Sequence, residues 1–436
     1  MPTPPRPARR RVGVLLVAVA GLLVAALVAA VVAARPGVQA AAPRAVGQQP
    51  ATRAAADPSA ELPRLLTRRA TAVLKRDRAA FLATVDKRQT TFYKRQANLF
   101  ARMRTVPFSD LAYKITDEHA STRLRRRYHA DQVIQAQVQA RYRFKGQDAS
   151  PVLARHSYTF VLTRSVWRIA GPGDAGQRRR DDTEIWDSDP VRTVGSARTL
   201  IVYHPGDEAL ARRLLRVADR AYTQVDAAWP RHWERKAVIL VPEDEQEAAE
   251  LVGASDLSRV AAVASSSVES GATERVLGNR IVVNTDNVER YNDLNLQVLI
   301  THEMTHVATR ALGDGVPLLL VEGFADWAAL KPLGYPLTVT RPNLARRVRA
   351  DRFDGKLPGD GEFRGPDAAV AYDEGSAFCL WVADTYGAGR LRALYRQLKG
   401  SDPPSEAEFD RGFRRVLDLT RRQVERRWAV WVRSQL

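Results

Sequence analysis

Two of the seven histidines stand four residues apart around an acid, in His302-Glu303-Met304-Thr305-His306. On a helix, residues at that spacing lie one turn above each other on the same face. Both imidazoles can then point a ring nitrogen at one ion, with Glu303 beside it. A catalytic zinc site is met by two such ligands at about 2.0–2.1 Å, a third protein ligand and a position open to water. A carboxylate within reach of that open position can take and return a proton. These two are the last histidines of the chain, the next one back being His232. Glu322 follows His306 by 16 residues, inside the otherwise apolar run LLLVEGFADWAAL. It is the expected third ligand. Asp326, four residues further on the same helical face, is placed to accept the N–H of one liganding imidazole and so fix its tautomer. An isolated pair of acids at this spacing would read as a solvated helix face; following the histidine pair at this distance, it reads as part of the site.

These groups meet only if two helices are antiparallel neighbours. Leu294, Val298 and Leu299 supply an apolar stripe that would bury a helix over 292–312, and Gly313-Asp314-Gly315 stops it. Pro317 suits the first turn of a second helix running to about Leu330. Ahead of this pair the pattern is β-α-β: a strand over 199–203, a helix over 208–229, a strand over 237–241 and a short helix introduced by Pro242, Glu243 and Asp244. Strands follow at 261–264 and 280–284. Helices close the chain at 371–386, ending on Gly387, then at 391–398 and 419–432.

The segments His302–His306 and Glu322–Asp326 resemble the gluzincin metallopeptidases, particularly the peptidase MA-like branch, and the likeness extends loosely over 195–436. It implies a zincin-like fold and a zinc ion held by His302, His306 and Glu322, with Glu303 as general base. It further implies that the strand at 280–284 is a sheet edge on which an extended peptide pairs, an ordinary sheet strand being the other reading of the same residues. Tyr372, in Ala371-Tyr372-Asp373-Glu374-Gly375, corresponds to the tyrosine that donates to the developing oxyanion; packing is the other role for such a residue. Metzincins are disfavoured because Thr309 and Leu312 stand where that group has Gly and His. An aspzincin-type site would take Asp326 as third ligand instead.

The first part of the chain carries an address. Residues 12–34 are 23 uncharged, mostly apolar residues, enough to span a bilayer core of about 30 Å. Arg6, Arg9, Arg10 and Arg11 precede them and Arg35 alone follows closely, which orients the N-terminus to the cytoplasm. A cleaved signal ending near Ala40–Ala42 is the alternative; the long apolar stretch favours a retained anchor. Residues 35–60 form an Ala/Pro/Gln-rich tether. From 61 to 170, helices precede strands at 133–144 and 156–169, an α+β order that resembles the nuclear transport factor 2-like cone. His119, His129 and His156 there lack ligand spacing. A Gly/Pro/charge-rich stretch, 171–196, separates this unit from the metallopeptidase-like one, 197–436.

Composition excludes several classes. With 45% hydrophobic and 27% charged residues, the chain is neither wholly disordered nor a multi-span membrane protein. One cysteine, Cys379, excludes an internal disulfide framework and a thiolate metal cluster. The net charge of +18 arises entirely before residue 191, since 34 basic and 34 acidic residues cancel beyond it. That distribution, dominated by arginine throughout, gives no nucleic-acid footprint. The fold class expected is therefore α+β: residues 1–11 cytoplasmic, a transmembrane helix, a tether, a smaller α+β cone-like domain and a zincin-like domain. The expected function is extracytoplasmic zinc-dependent hydrolysis of peptide or protein substrates. A catalytically inactive envelope interaction protein and a small-ligand-binding protein centred on the first domain are the rival readings.

Overall fold

The computed structural model describes residues 57–173, 181–231, 233–269, 275–309, 315–398 and 405–436. The apolar segment 12–34 lies outside them; among the described residues no helix is long and apolar enough to cross a membrane.

The chain enters through α1 (Pro58–Leu74), with Asp57 capping the backbone N–H of Ser59 and a proline in the first turn, where its missing N–H costs nothing. Then come α2 (Arg78–Ala83), α3 (Thr90–Met103), β1 (Phe108–Ala120), α4 (Thr122–Tyr128), β2 (Gln132–Phe144), β3 (Val152–Thr163) and β4 (Val166–Pro172). The four strands form an antiparallel meander in sequence order. The stretch expected as one strand over 156–169 is thus the end of β3 and most of β4. Between them Arg164 and Ser165 both adopt positive φ, 49° and 65°. That is the two-residue hairpin geometry which Asn-Gly normally announces, and Arg-Ser does not announce it.

The second sheet begins in the Gly/Pro/charge-rich stretch with β5 (Arg192–Gly195) and continues with β6 (Thr199–Tyr203), α5 (Glu208–Ala228), β7 (Ala237–Val241), α6 (Glu245–Val252), β8 (Ala262–Glu269) and β9 (Arg275–Val283). Its order is β5-β6-β7-β9-β8, with β6, β7 and β9 parallel and the outer strands antiparallel to their neighbours. Strand β9, which contains the segment expected at the sheet edge, is therefore interior. The end strand is β8, because the chain makes a hairpin outward before β9 returns beside β7.

Every residue of β6 and β7 is buried, as expected of strands covered on both faces. Ile201, Tyr203, Ile239, Val241, Ile281 and Val283 face a core shared with α5 and the helices of the C-terminal half. Their alternates Leu200, Val202, Val238, Leu240 and Val282 face Phe81, Phe100, Tyr142 and Phe144 of the first half. One face of the second sheet is thus roofed by the first α+β unit. Ile185, Trp186 and Val191, within the stretch between the two units, are buried in the same cluster.

The remaining helices are α7 (Thr285–Val288), α8 (Asp293–Thr309), α9 (Leu318–Leu330), a 3-10 turn (Lys331–Leu333), α10 (Leu337–Thr340), α11 (Pro342–Arg349), α12 (Asp360–Phe363), α13 (Ala368–Tyr386), α14 (Ala388–Gln397), α15 (Glu406–Leu417) and α16 (Arg421–Gln435). Helix α9 lies against both α8 and α13. Its contact with α13 is made at glycines. A Cβ at Gly323 would run into the Gly375 carbonyl oxygen, and one at Gly375 would sit 3.2 Å from that of Leu319. The absence of a side chain at Gly323 lets the backbones meet and holds the neighbouring Glu322 at fixed depth.

Candidate metal centre

Helix α8 is buried on all sides from Val298 to Thr309, so the polar groups of the histidine motif sit in a core helix. Burying unpaired polar groups is costly, and here the expense is met by clustering. His302, Glu303 and Glu322 are fully buried and His306 is 5% exposed. The His302 and His306 Nε2 atoms are 2.9 Å apart. Glu322 Oε2 lies 3.2 Å from the first and 3.6 Å from the second. Two ligands bound tetrahedrally at about 2.0–2.1 Å stand about 3.3 Å apart, so the three atoms have the spacing of one face of such a site. His302, His306 and Glu322 form a buried group that can bind a metal ion. The antiparallel pairing of the helices is visible in the partners: His306 meets Glu322, and His302 reaches Asp326 a turn further on.

His302 Nδ1–H donates to Asp326 Oδ1 at 2.8 Å, so that in the neutral ring the lone pair is on Nε2, toward the cluster. Burial opposes charge on His302, but the Asp326 and Glu322 carboxylates outweigh it and raise its pKa well above the ordinary imidazole value. Burial likewise pushes Glu322 up, while His306 and His302 together hold it down to about 2. This carboxylate is ionised at any pH at which the protein would function. Its Oε1 is buried with no hydrogen-bond partner, a second donor atom with nothing else to satisfy it.

Glu303 is the odd member. Both carboxylate oxygens are buried and, among the described residues, neither has a hydrogen-bond partner at ordinary geometry. Burial raises its pKa above the usual carboxylate value, and the fields of His302 and His306 oppose that rise. The backbone N–H of Ala264, on the end strand β8, points to the carboxylate from beyond ordinary hydrogen-bond geometry and favours its charged form weakly. Glu303 thus stands between the ligand cluster and the sheet's end strand, with at most the Ala264 N–H drawing on its proton-accepting capacity.

Tyr372 falls within α13, which begins three residues earlier than the sequence suggested, at Ala368. It is buried, with its ring edge-on to Phe363 at 5.2 Å; the chemistry proposed below does not depend on its hydroxyl. Two further residues support the centre without having been legible beforehand. Arg341 is 2% exposed and acts electrostatically on both Asp326 and Asp373. Asp373 in turn accepts the backbone N–H groups of Asn343 and Leu344, at 2.7 and 3.1 Å, pinning α11 to α13. Arg341 lies in the unremarkable stretch Thr340-Arg341-Pro342, and only tertiary packing brings it behind Asp326.

If Asp326 orients His302, Asp326→Asn should keep an acceptor for Nδ1–H but lose the charge, and Asp326→Ala should lose both. Metal affinity is expected to fall about 10-fold and about 100-fold respectively, the range for partners of liganding histidines. Competition titration against a chromophoric chelator measures it; unchanged affinity in the alanine variant would dissociate Asp326 from the centre.

Compared with protein-family models and with curated proteins, the chain matches none.

Proposed function

We propose that this chain is a zinc-dependent peptidase of the gluzincin kind, anchored by residues 12–34 with its folded part outside the cytoplasm. One observation carries the reading: a buried His302–His306–Glu322 group flanked by a buried carboxylate, Glu303, that no side chain among the described residues engages in a hydrogen bond. A structural metal site needs no such spare base, whereas hydrolysis does. When bound, zinc supplies Lewis acidity, polarising a carbonyl and lowering the pKa of water toward about 7. His302, His306 and Glu322 would hold it, and Asp326 would keep His302 in the liganding tautomer. Glu303 would take the proton of the attacking water and pass it to the leaving amine, its raised pKa bringing it closer to both tasks. An extended peptide would pair along the end strand β8, and the Ala264 N–H beside Glu303 supports that position.

The test is metal content by mass spectrometry on the purified full chain beside His302→Ala/His306→Ala, joined to a peptide-library cleavage assay. About one zinc per chain is expected in the parent, none in the variant, and cleavage by the parent alone. A well-folded parent that takes up no zinc after supplementation would refute the proposal.

A further inference from the structure

We infer that His204, held between Glu247 and the backbone carbonyl of Pro190, is a pH-operated latch that fastens residues 184–191 to the second sheet, closed while the imidazole carries both ring protons and released when it loses one. This stretch is the wedge between the two α+β units, with Ile185, Trp186 and Val191 buried among residues of both. Groups that do not titrate near neutrality tie it to the first unit. Arg102 donates to the carbonyls of Trp186, Asp187 and Ser188 at 2.6–2.8 Å, and Thr105 Oγ1 donates to that of Val191 at 3.0 Å. The side-chain tie to the second unit is of another kind. His204, directly after β6, is 4% exposed, with Nδ1 3.0 Å from the Pro190 oxygen and Nε2 2.9 Å from Glu247 Oε2 on α6. Ser188 Oγ–H donates to the other oxygen of the same carboxylate, at 2.6 Å.

These contacts fix the protonation state. A carbonyl oxygen only accepts, and so does an ionised carboxylate. Glu247 is kept ionised by the other donors it receives, the Ser188 hydroxyl and the Glu243 backbone N–H at 2.8 Å, and by its place in the first turn of α6. A neutral imidazole has one N–H, so on one side or the other its lone pair would face an oxygen lone pair at hydrogen-bond distance; the imidazolium alone satisfies both. The charged groups facing His204 are acids: Glu247 from α6, Asp189 from the wedge and Asp207 from the turn into α5. Arg192, next along the chain, turns to Glu208 at 4.0 Å, and Glu243 and Asp244 at the start of α6 are exposed. Burial opposes charge on His204, but the hydrogen bonds to Glu247 and Pro190 outweigh it and raise its pKa above the ordinary imidazole value. Burial opposes charge on Glu247 as well, and His204 and Ser188 hold its pKa below the usual carboxylate value. The stability that the latch contributes is therefore fully present below the unfolded imidazole pKa of about 6.5 and lost as pH rises through the higher folded value. Two acids of the wedge titrate with the same sign. Glu184, facing Tyr142, Arg280, Asp182 and Asp187, is pushed up to about 8 by burial and the charge of Asp187, and Asp187, beside His156 and Arg102, is raised by burial.

Hydrogen exchange on the full chain across pH 5 to 9.5, corrected for the intrinsic rate of each amide, separates these groups. Protection of residues 184–191 is expected to fall about 10-fold in one step as pH rises, while that of β7 in the same sheet holds. His204→Gln should lose the step. Glu247→Gln keeps the shape and an acceptor for Ser188 but removes the charge, and should move the midpoint down by about one pH unit; it decides if His204→Gln fails to fold. The inference is overturned if protection of 184–191 is flat with pH in the parent, if β7 loses protection equally, if the step persists in His204→Gln and so belongs to Glu184 or Asp187, or if Glu247→Gln leaves the midpoint in place.

Discussion

Glu303→Gln should lower peptide hydrolysis by at least about 10³-fold, within the range for removal of a general base, while metal content stays that of the parent. The substitution keeps the shape of the side chain and removes its ability to accept a proton. Glu303 is not one of the three gathered ligand groups, so the ion should remain. A loss of 10³ corresponds to about 4 kcal/mol of transition-state stabilisation, much more than repositioning a neighbouring ligand by a few tenths of an ångström would produce. Folding should be little affected or improved. The raised pKa of Glu303 has a definite sign: its contribution to stability is fully present below the unfolded carboxylate pKa and lost as pH rises through the higher folded value, so the group is a burden once ionised. A proposed base that destabilises its own fold is the pattern expected where function opposes stability. Hydrolysis within 10-fold of the parent, in a variant that retains its metal, would remove Glu303 from the reaction and the peptidase reading with it.

What could be read in advance was whatever depends on local spacing. The four-residue separation of His302 and His306 and the sixteen-residue step to Glu322 were enough to name the three groups that the fold gathers, because two antiparallel helices so close in sequence leave little geometric freedom. Strands β6 and β7 announce themselves as apolar runs because both faces are covered. What escaped depends on partners distant in sequence. Strand β1 buries Leu111 alone, so its pattern is almost entirely that of a solvent-facing segment. The order of β8 and β9 is decided by which strand pairs with β7, and neither sequence encodes an edge: β9 carries a charged Arg280 yet is interior. Arg280 belongs inside because its counter-charge comes from the other α+β unit, and no periodicity in either segment records that meeting.

That meeting has the second large consequence. Arg280 and Asp148 form a two-pronged ion pair, Nη1–Oδ1 at 2.7 Å and Nη2–Oδ2 at 2.8 Å, with side chains 7% and 5% exposed. The guanidinium also lies 4.6 Å above the Phe144 ring. Burial works against its charge, and Asp148 and its neighbours more than restore it, raising the pKa above the ordinary arginine value. Asp148→Ala would strand that charge. The expected loss is about 3–5 kcal/mol, a large share of the about 5–15 kcal/mol that holds a domain folded. Arg280→Met/Asp148→Leu should recover most of it, because apolar replacement of both partners removes the desolvation penalty together with the pair. Urea denaturation of the three proteins measures this, and a loss below about 1 kcal/mol in Asp148→Ala would show the pair to be dispensable. The same experiment tests how the metal centre is supported. Asp148 sits in the turn between β2 and β3, Arg280 in the strand that pairs with β8, and β8 carries the Ala264 N–H beside Glu303. Breaking the pair should therefore loosen the end strand nearest the proposed base, and peptide hydrolysis in Asp148→Ala should fall at temperatures where the protein is still folded, with metal content unchanged. The first α+β unit then acts on the site through the sheet it roofs, without contributing a ligand to it.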